Sequence, residues 1–259
     1  MVQDSFYWDN ALKNIHHSHL QGFIAQYKRE EHIRLVSGWT SDKKSKKVLK
    51  TDLFEEAFGK DLFFDFLAEN FNKAVGIDIS GKVVSRSREN LKSIGIKGQE
   101  LLVRSVISTG FKDKSFDCII SNSTLDHLSK EDMIKALQEL RRILKDDGEI
   151  ILTIDNKDNP LYYLGYIISN RFRLQRYRQN SCYSQMEMKN MLTEQGYVIN
   201  DITSIVSIPT PFNRIARFME SARFPSSGPV IQALVRIFDK HLRGRITTGW
   251  FLAFRLSKH

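Results

Sequence analysis

Ser115-Phe-Asp-Cys-Ile-Ile-Ser-Asn-Ser-Thr-Leu-Asp-His127 and, further on, Leu140-Arg-Arg-Ile-Leu-Lys-Asp-Asp-Gly-Glu-Ile-Ile-Leu-Thr-Ile-Asp-Asn156 decide the fold of this chain. Cys118, Ile119 and Ile120 form the continuous apolar run of a parallel strand covered on both faces. The run stops at Ser121-Asn122-Ser123, where small polar side chains leave room for a ligand. In open α/β sheets, ligands bind at the carboxyl ends of the strands. Ser129 and Asp132 mark the start of a helix over Lys130 to Leu144. Gly148 then turns the chain into a second buried strand, Glu149 to Ile154.

Working outward, strands and helices alternate. Strands are expected near Val48–Thr51, Ala74–Ile79, Leu101–Val106 and Phe116–Ser121. Helices are expected over about Glu55–Phe71 and Gly81–Ile94. This alternation predicts parallel βαβ units in a doubly wound α/β sheet. The segment from Asp4 to about Gly38 reads as a helical cap, with Leu12, Ile15, Leu20 and Ile24 near helical spacing. It precedes a domain spanning 41–259. Helical insertions are expected at about 160–180 and 211–244, a helix over Ser184–Glu194, and strands over Val198–Val206 and Thr248–Leu256.

Composition sets limits. The chain has 259 residues, enough for a sizeable core, and 41% hydrophobic residues, as in an ordinary soluble protein. Its longest apolar run, Leu161 to Ile168, is far short of the roughly 20 residues of a membrane span. Met1-Val-Gln-Asp-Ser5 has no basic start and no apolar core, so no secretory signal is expected. Cys118 and Cys182 make neither a disulfide framework nor a metal site, which fits a reducing cytoplasm. His16, His17 and His19 lack Cys or carboxylate partners at ligand spacing, so no metal is expected. The net charge of +9 gathers at Lys43–Lys47, at Arg171–Arg178 and between Arg214 and Arg245. It leaves open a nucleic-acid binder, an anionic-membrane contact or an enzyme for acidic substrates, with a solvated surface as the default reading.

A second motif is Val75-Gly-Ile-Asp-Ile-Ser80. Asp78, ending a strand, can accept hydrogen bonds from both hydroxyls of a ribose; the alternative is a carboxylate beside a helix start. The order of the two motifs, and the wording of the Ser115–His127 and Leu140–Asn156 stretches, resemble class I S-adenosylmethionine-dependent methyltransferases. The resemblance covers about Val48 to Asn159. It implies a Rossmann-like, mostly parallel seven-stranded sheet with an antiparallel last strand, and S-adenosylmethionine as cofactor. It implies ribose contacts at Asp78 and Ile79, adenine contacts at Ser105 and Val106, and further cofactor contacts at Ser121 and Asn122.

The first βα turn departs from that family. Val48-Leu-Lys-Thr-Asp-Leu-Phe-Glu-Glu-Ala-Phe-Gly59 has Lys50 where an acidic residue is usual and no glycine until Gly59. It resembles a methyltransferase-like subgroup in which LKTDLFEEA replaces the glycine loop. Asp52, Glu55 or Glu56 then supplies negative charge for a cationic ligand; a pyrophosphate would be repelled. The alternative is that Asp52 and Glu55 form a helix capping box. Ser105 likewise stands where the family has an Asp.

Methyl transfer is an in-line displacement in which the enzyme aligns the nucleophile and, for a hydroxyl, removes its proton. Asp126 and His127, just beyond the fourth strand, are the candidates, since an imidazole titrates near neutral pH; otherwise Asp126 is a helix cap and His127 a loop residue. Asp155, Asn156 and Tyr162 are candidates for the acceptor pocket. Ile231, Leu234, Val235, Phe238 and Leu242 line one helix face, with Arg236, Lys240 and Arg243 away from it. An apolar pocket rimmed by positive charge suits a small-molecule or lipid-like acceptor, with peripheral contact to an anionic membrane. A rival reading is a catalytically degenerate binding or scaffold module; Lys50 or Phe54 filling the cleft would favour it. A nucleic-acid methyltransferase is a third, for which no recognised RNA-binding module is present.

Overall fold

A computed structural model describes residues 8–9, 22–59, 62–172, 181–209, 212 and 227–259. In chain order the elements are α1 (Phe23–Trp39), β1 (Lys47–Lys50), α2 (Phe54–Phe58), α3 (Phe64–Asn70), β2 (Lys73–Asp78), α4 (Gly81–Ser93), β3 (Glu100–Val103) and β4 (Phe116–Asn122). They continue with α5 (Lys130–Ile143), β5 (Leu144–Asp155), α6 (Pro160–Arg171), α7 (Gln185–Glu194), β6 (Tyr197–Ile205), α8 (Ser227–Leu242) and β7 (Phe251–Lys258).

The sheet has seven strands in the order β3-β2-β1-β4-β5-β7-β6. β1 pairs in parallel with β2 and β4, and β7 is antiparallel to both β5 and β6. The expected mostly parallel sheet with an antiparallel last strand is present. Order reverses between β1 and β4, where Val48 faces Cys118 and Lys50 faces Ile120. That reversal opens the crevice in which such sheets bind ligands.

Strict alternation along the central strands builds two cores. Val48, Cys118, Ile120 and Ile151 point into one; Leu49, Ile119, Ile150 and Leu152 point into the other. All eight are essentially inaccessible, each contributing about 1.5–3 kcal/mol for the large aliphatics. α1 lies in the first core through Ile24, Tyr27, Leu35 and Val36. In α5, Met133, Ala136, Leu137, Leu140 and Ile143 seal the second at helical spacing, behind an N-terminal Ser129 hydroxyl that accepts from Asp132 N at 3.2 Å.

Three expectations need correction. The single helix over Glu55–Phe71 is two short ones, because Gly59 follows the first in an extended conformation while Leu62 and Phe63, in the connection, are themselves buried. The expected apolar face of α8 is narrower: Ile231 and Val235 are buried and Phe238 is partly so, but Leu234 is 37% exposed. The third strand stops at Val103, after which Ser105 bridges back to Ser108. Leu12, Ile15, Leu20, His16, His17 and His19 lie outside the described residues.

Candidate active site

The carboxyl end of β1 is closed by an ion pair. Lys50 is 1% exposed, and its Nζ lies 3.0 Å from Glu56 Oε2 and 2.5 Å from the Asp52 carbonyl. Glu56 Oε1 accepts the Phe64 amide at 3.0 Å, tying α2 to α3. Burial opposes charge on Lys50, but the Glu56, Asp52 and Glu55 carboxylates outweigh it and raise its pKa. Phe54 packs against Phe58 at 5.1 Å, and Phe58 lies beneath the Arg86 guanidinium. The glycine missing from the turn reappears in the strand beside it. At Gly76 an added Cβ would fall within 2.7–2.9 Å of Leu53, Leu101 and Phe64, so β2 makes room for the bulky turn. The alternative reading of Asp52 and Glu55 as a capping box is not met: α2 has no side-chain cap, and Asp52 Oδ1 accepts the Phe54 amide two residues on at 2.6 Å.

Asp78, half-buried at the end of β2, bridges two turns. Its Oδ2 accepts the Leu53 amide at 3.1 Å and its Oδ1 the Ser80 amide at 2.8 Å. Burial, and then the Asp52 carboxylate, push its pKa up against these two bonds. Ile79 is half-buried beside it, as is Glu55 in α2.

At the end of β4 the balance differs. Thr51 Oγ1 donates to Ser121 Oγ at 3.0 Å and lies 3.2 Å from Thr124 Oγ1. Asn122 is 8% exposed, yet neither its amide nitrogen nor its amide oxygen has a protein partner. Ser123 then takes a left-handed backbone (φ 45°) while its amide donates to the Thr153 carbonyl at 2.9 Å. A non-glycine residue costs about 1–2 kcal/mol there, a strain commonest at functional sites.

Asp126 follows, 1% exposed. Its Oδ2 accepts the Asp155 amide at 3.3 Å, and its Oδ1 has no partner. Burial is the main reason its pKa is pushed up to about 7. Asp155, also buried, accepts the Tyr162 hydroxyl at 2.6 Å. Burial and the Asp126 carboxylate push Asp155 up to about 8, against the Tyr162 bond and the His127 and Lys28 charges. His127 packs edge-on against Trp8 with ring centroids 5.3 Å apart.

Asp52, Glu55, Asp78, Ser121, Asn122, Asp126, His127, Asp155 and Tyr162 therefore lie along the ends of β1, β2, β4 and β5. Asn156 is different. Its Nδ2 donates to the Ile246 and Gly249 carbonyls at 2.6 and 2.8 Å, and its Oδ1 accepts the Asp158 amide at 2.9 Å. Fully engaged and fully buried, it pins β5 to the turn before β7 and has nothing left for an acceptor. Ser105 Oγ receives the Ile107 amide at 3.4 Å, and Val106 packs into the second core at 8% exposure.

Sequence reasoning missed four neighbours. Asp9 meets the Ser80 hydroxyl, and its carbonyl lies 3.4 Å from Lys82 Nζ. With Trp8 on His127, the N-terminal segment touches the ends of both β2 and β4. The aromatic run Phe6-Tyr-Trp8 was the available signal. Lys28 on α1 sits over the Trp250 and Phe251 rings at 5.1 and 5.5 Å, and its helical position gave no hint of this. Thr51 was hidden inside the atypical turn.

Residues 55–152 match the family model of a methyltransferase domain. A solved structure from Pyrococcus horikoshii aligns with a TM-score of 0.62 at 16% identity, covering 93% of each chain. The fold is that of the class I methyltransferases. Within that frame, an uncharacterised protein of Methanocaldococcus jannaschii is 30% identical over 50% of this chain and 58% of its own length. The ubiquinone/menaquinone biosynthesis C-methyltransferase of Cronobacter sakazakii is 31% identical over 34% of this chain and 35% of its own. A tRNA (carboxymethyluridine(34)-5-O)-methyltransferase of Arabidopsis thaliana is 33% identical over 31% and 18%. The chain thus spans between about a fifth and three-fifths of the length of these relatives.

The residues of the class I crevice fit the cofactor of that fold. Asp52, Glu55, Asp78, Asp126 and Asp155 surround it, while Lys50 is committed to Glu56. These carboxyl groups, several held above their ordinary pKa by burial, ionise more readily beside a sulfonium or an ammonium, and oppose a pyrophosphate. The unpartnered Asn122 amide, able to donate and accept, is the kind of buried group a ligand completes. Among the described residues no cluster of His, Cys, Asp and Glu could hold a metal ion.

Proposed function

We propose that this chain is an S-adenosylmethionine-dependent methyltransferase acting on a small-molecule or lipid-like acceptor. The observation that carries the reading is the pairing of a carboxylate-lined crevice with a buried Asn122 side chain whose amide has no partner. When bound, S-adenosylmethionine supplies an electrophilic methyl carbon. Asp78, flanked by Ile79, accepts from the ribose; Asp52 and Glu55 give negative charge to the amino-acid end; Asn122 and Ser121 hold the cofactor across β4. Ser105 and Val106 stand at the adenine end.

On the acceptor side, Asp126 and His127 lie beyond β4. Asp126, with one oxygen unpartnered and a pKa near neutrality, takes the proton of an O–H or N–H nucleophile. His127 is positioned by Trp8 to share that task. Asp155 and Tyr162 adjoin Asp126, whose Oδ2 accepts the Asp155 amide, and the Tyr162 hydroxyl keeps Asp155 oriented.

The rival reading, a degenerate module, draws on the Lys50–Glu56 pair that closes the end of β1, whereas Phe54 packs against Phe58; cofactor binding separates the two. Calorimetry with S-adenosylmethionine and S-adenosylhomocysteine tests the proposal. Micromolar binding of both is expected, weakened about thirtyfold or more by Asp78→Ala, because each hydrogen bond to a charged group is worth about 1.5–3 kcal/mol. No binding at millimolar ligand would overturn it.

A further inference from the structure

The helix that carries Tyr162 to the site has an outer surface with no counterpart in the fold. α6 is largely apolar, yet it contains no buried residue. Leu161 is 53% exposed, Leu164 54%, Ile167 45%, Ile168 42% and Phe172, just past its end, 68%. Leu161, Leu164 and Ile168 repeat at helical spacing, with Ile167 and Phe172 widening the stripe. Tyr163 and Tyr166 stack at 5.9 Å alongside. Large apolar side chains scattered singly need no explanation; five gathered along one side of a short helix mark an interaction surface.

Charge selects the occupant. From Pro160 to Met186 the sequence has four arginines, Arg171, Arg173, Arg176 and Arg178, and no Asp or Glu. The whole chain is at +9. A second copy would bring the same positive segment against itself, and an acidic bilayer would complement it. α6 has 12 residues, too few to span a bilayer, and among the described residues no helix is long and apolar enough to do so. A short helix with an apolar face and flanking arginines lies in the interface plane. The basic face expected on α8 is a weaker candidate, because Arg243 is turned toward Asp239 and Glu31.

We propose that the exposed face of α6 docks this protein on an anionic lipid surface. Its inner side reaches the crevice through Tyr162 and Asp155, so docking would place the acceptor side of the site next to the membrane. The docking itself does not depend on the methyltransferase reading.

The test is co-sedimentation of the full chain with vesicles of phosphatidylcholine alone and of phosphatidylcholine with phosphatidylglycerol, at low and high salt. Binding is expected only to the anionic vesicles and is lost as salt rises. The double variant Leu164→Ser/Ile168→Ser alters exposed positions only. It should reduce anionic-vesicle binding at least tenfold while its thermal unfolding and its affinity for S-adenosylhomocysteine stay unchanged. Lys43→Gln/Lys44→Gln, on a different basic cluster, should reduce binding far less.

Three results would overturn the proposal. The unaltered chain could stay in the supernatant with anionic vesicles at low salt. The lysine variant could lose binding while the α6 variant keeps it. Light scattering could reveal a dimer that the α6 variant abolishes. Calorimetry with S-adenosylhomocysteine separates these outcomes from failure of the enzyme reading, which would leave vesicle binding intact.

Discussion

The two halves of the crevice are built on opposite principles. At the end of β1, polar atoms are consumed within the protein: Lys50 by Glu56 and the Asp52 carbonyl, Glu56 by Lys50 and the Phe64 amide. At the ends of β4 and β5, buried polar atoms are left over, namely both amide atoms of Asn122 and one oxygen of Asp126. Both regions carry unusual buried polarity, but only the second pays for it without a return inside the fold. Buried groups that are satisfied report architecture, and buried groups that are not call for a partner from outside the chain, a water or a ligand. The atypical first turn is therefore a structural substitute for a glycine loop, and the chemistry has to be sought across the sheet at β4.

The largest effect expected from this contrast concerns the first turn. Removing one partner of a buried ion pair strands the other, at a cost of about 3–5 kcal/mol. Glu56→Ala should show this in urea unfolding, since it also orphans the Phe64 amide. Lys50→Met/Glu56→Gln, which leaves no uncompensated charge and keeps an acceptor for that amide, should recover most of the loss. If Glu56→Ala proves neutral, the pair does not hold the turn and the contrast collapses.

A smaller effect, with the opposite sign, belongs to the Asp126–Asp155 pair. Burial, aided by the Asp52 carboxylate at Asp126 and by the Asp126 carboxylate at Asp155, raises their pKa values to about 7 and about 8, above an ordinary Asp value of about 3.9. Between roughly pH 4 and 8 the native state then holds more protons than the unfolded state, so these groups make stability fall as pH rises. His32, which burial holds neutral with a pKa near 4, acts the other way over about pH 4–6.5. A difference between variants removes that background. Asp126→Asn, which keeps an oxygen for the Asp155 amide, should match the unaltered chain near pH 5 and exceed its stability by about 1–3 kcal/mol near pH 8. Urea midpoints at the two pH values measure this. Equal midpoints at pH 8 would show that Asp126 is not held against its charge.

The sequence made the frame legible because strand alternation and motif order are local. Cys118-Ile-Ile120, Gly148 and the Ser129 cap each carry their own signal, and together they leave little freedom of topology. The candidate site was legible only in its placement, where a residue ends a strand, as Asp78, Asn122 and Asp155 do. What decides Lys50 is a carboxylate six residues away in a helix whose break at Gly59 was masked by the apolar Leu62 and Phe63. What decides Asn156 is the pair of carbonyls at Ile246 and Gly249, which no reading of its own neighbourhood could supply. Asn159 is decided half locally and half at a distance: its Oδ1 caps α6 by accepting the Tyr162 amide at 3.1 Å, while its Nδ2 donates to the Thr248 and Gly249 carbonyls at 2.9 and 3.1 Å.

The smallest expected effect is also the sharpest discriminator between the two halves. Asn122 is buried like Glu56, and a buried polar side chain that serves the fold costs about 1–3 kcal/mol when its partner is left unmade. Asn122 has no partner to leave. Truncation removes a group that is itself unsatisfied, so the lost desolvation burden offsets the lost packing. Asn122→Ala should therefore change unfolding stability by less than about 0.5 kcal/mol or raise it, while S-adenosylhomocysteine affinity falls about tenfold, the worth of one well-made hydrogen bond. Urea unfolding and calorimetry on the same preparation read both quantities. A stability loss near that of Glu56→Ala would place Asn122 among the structural groups, and the ligand would then have to be held by Asp78 and the remaining carboxylates without it.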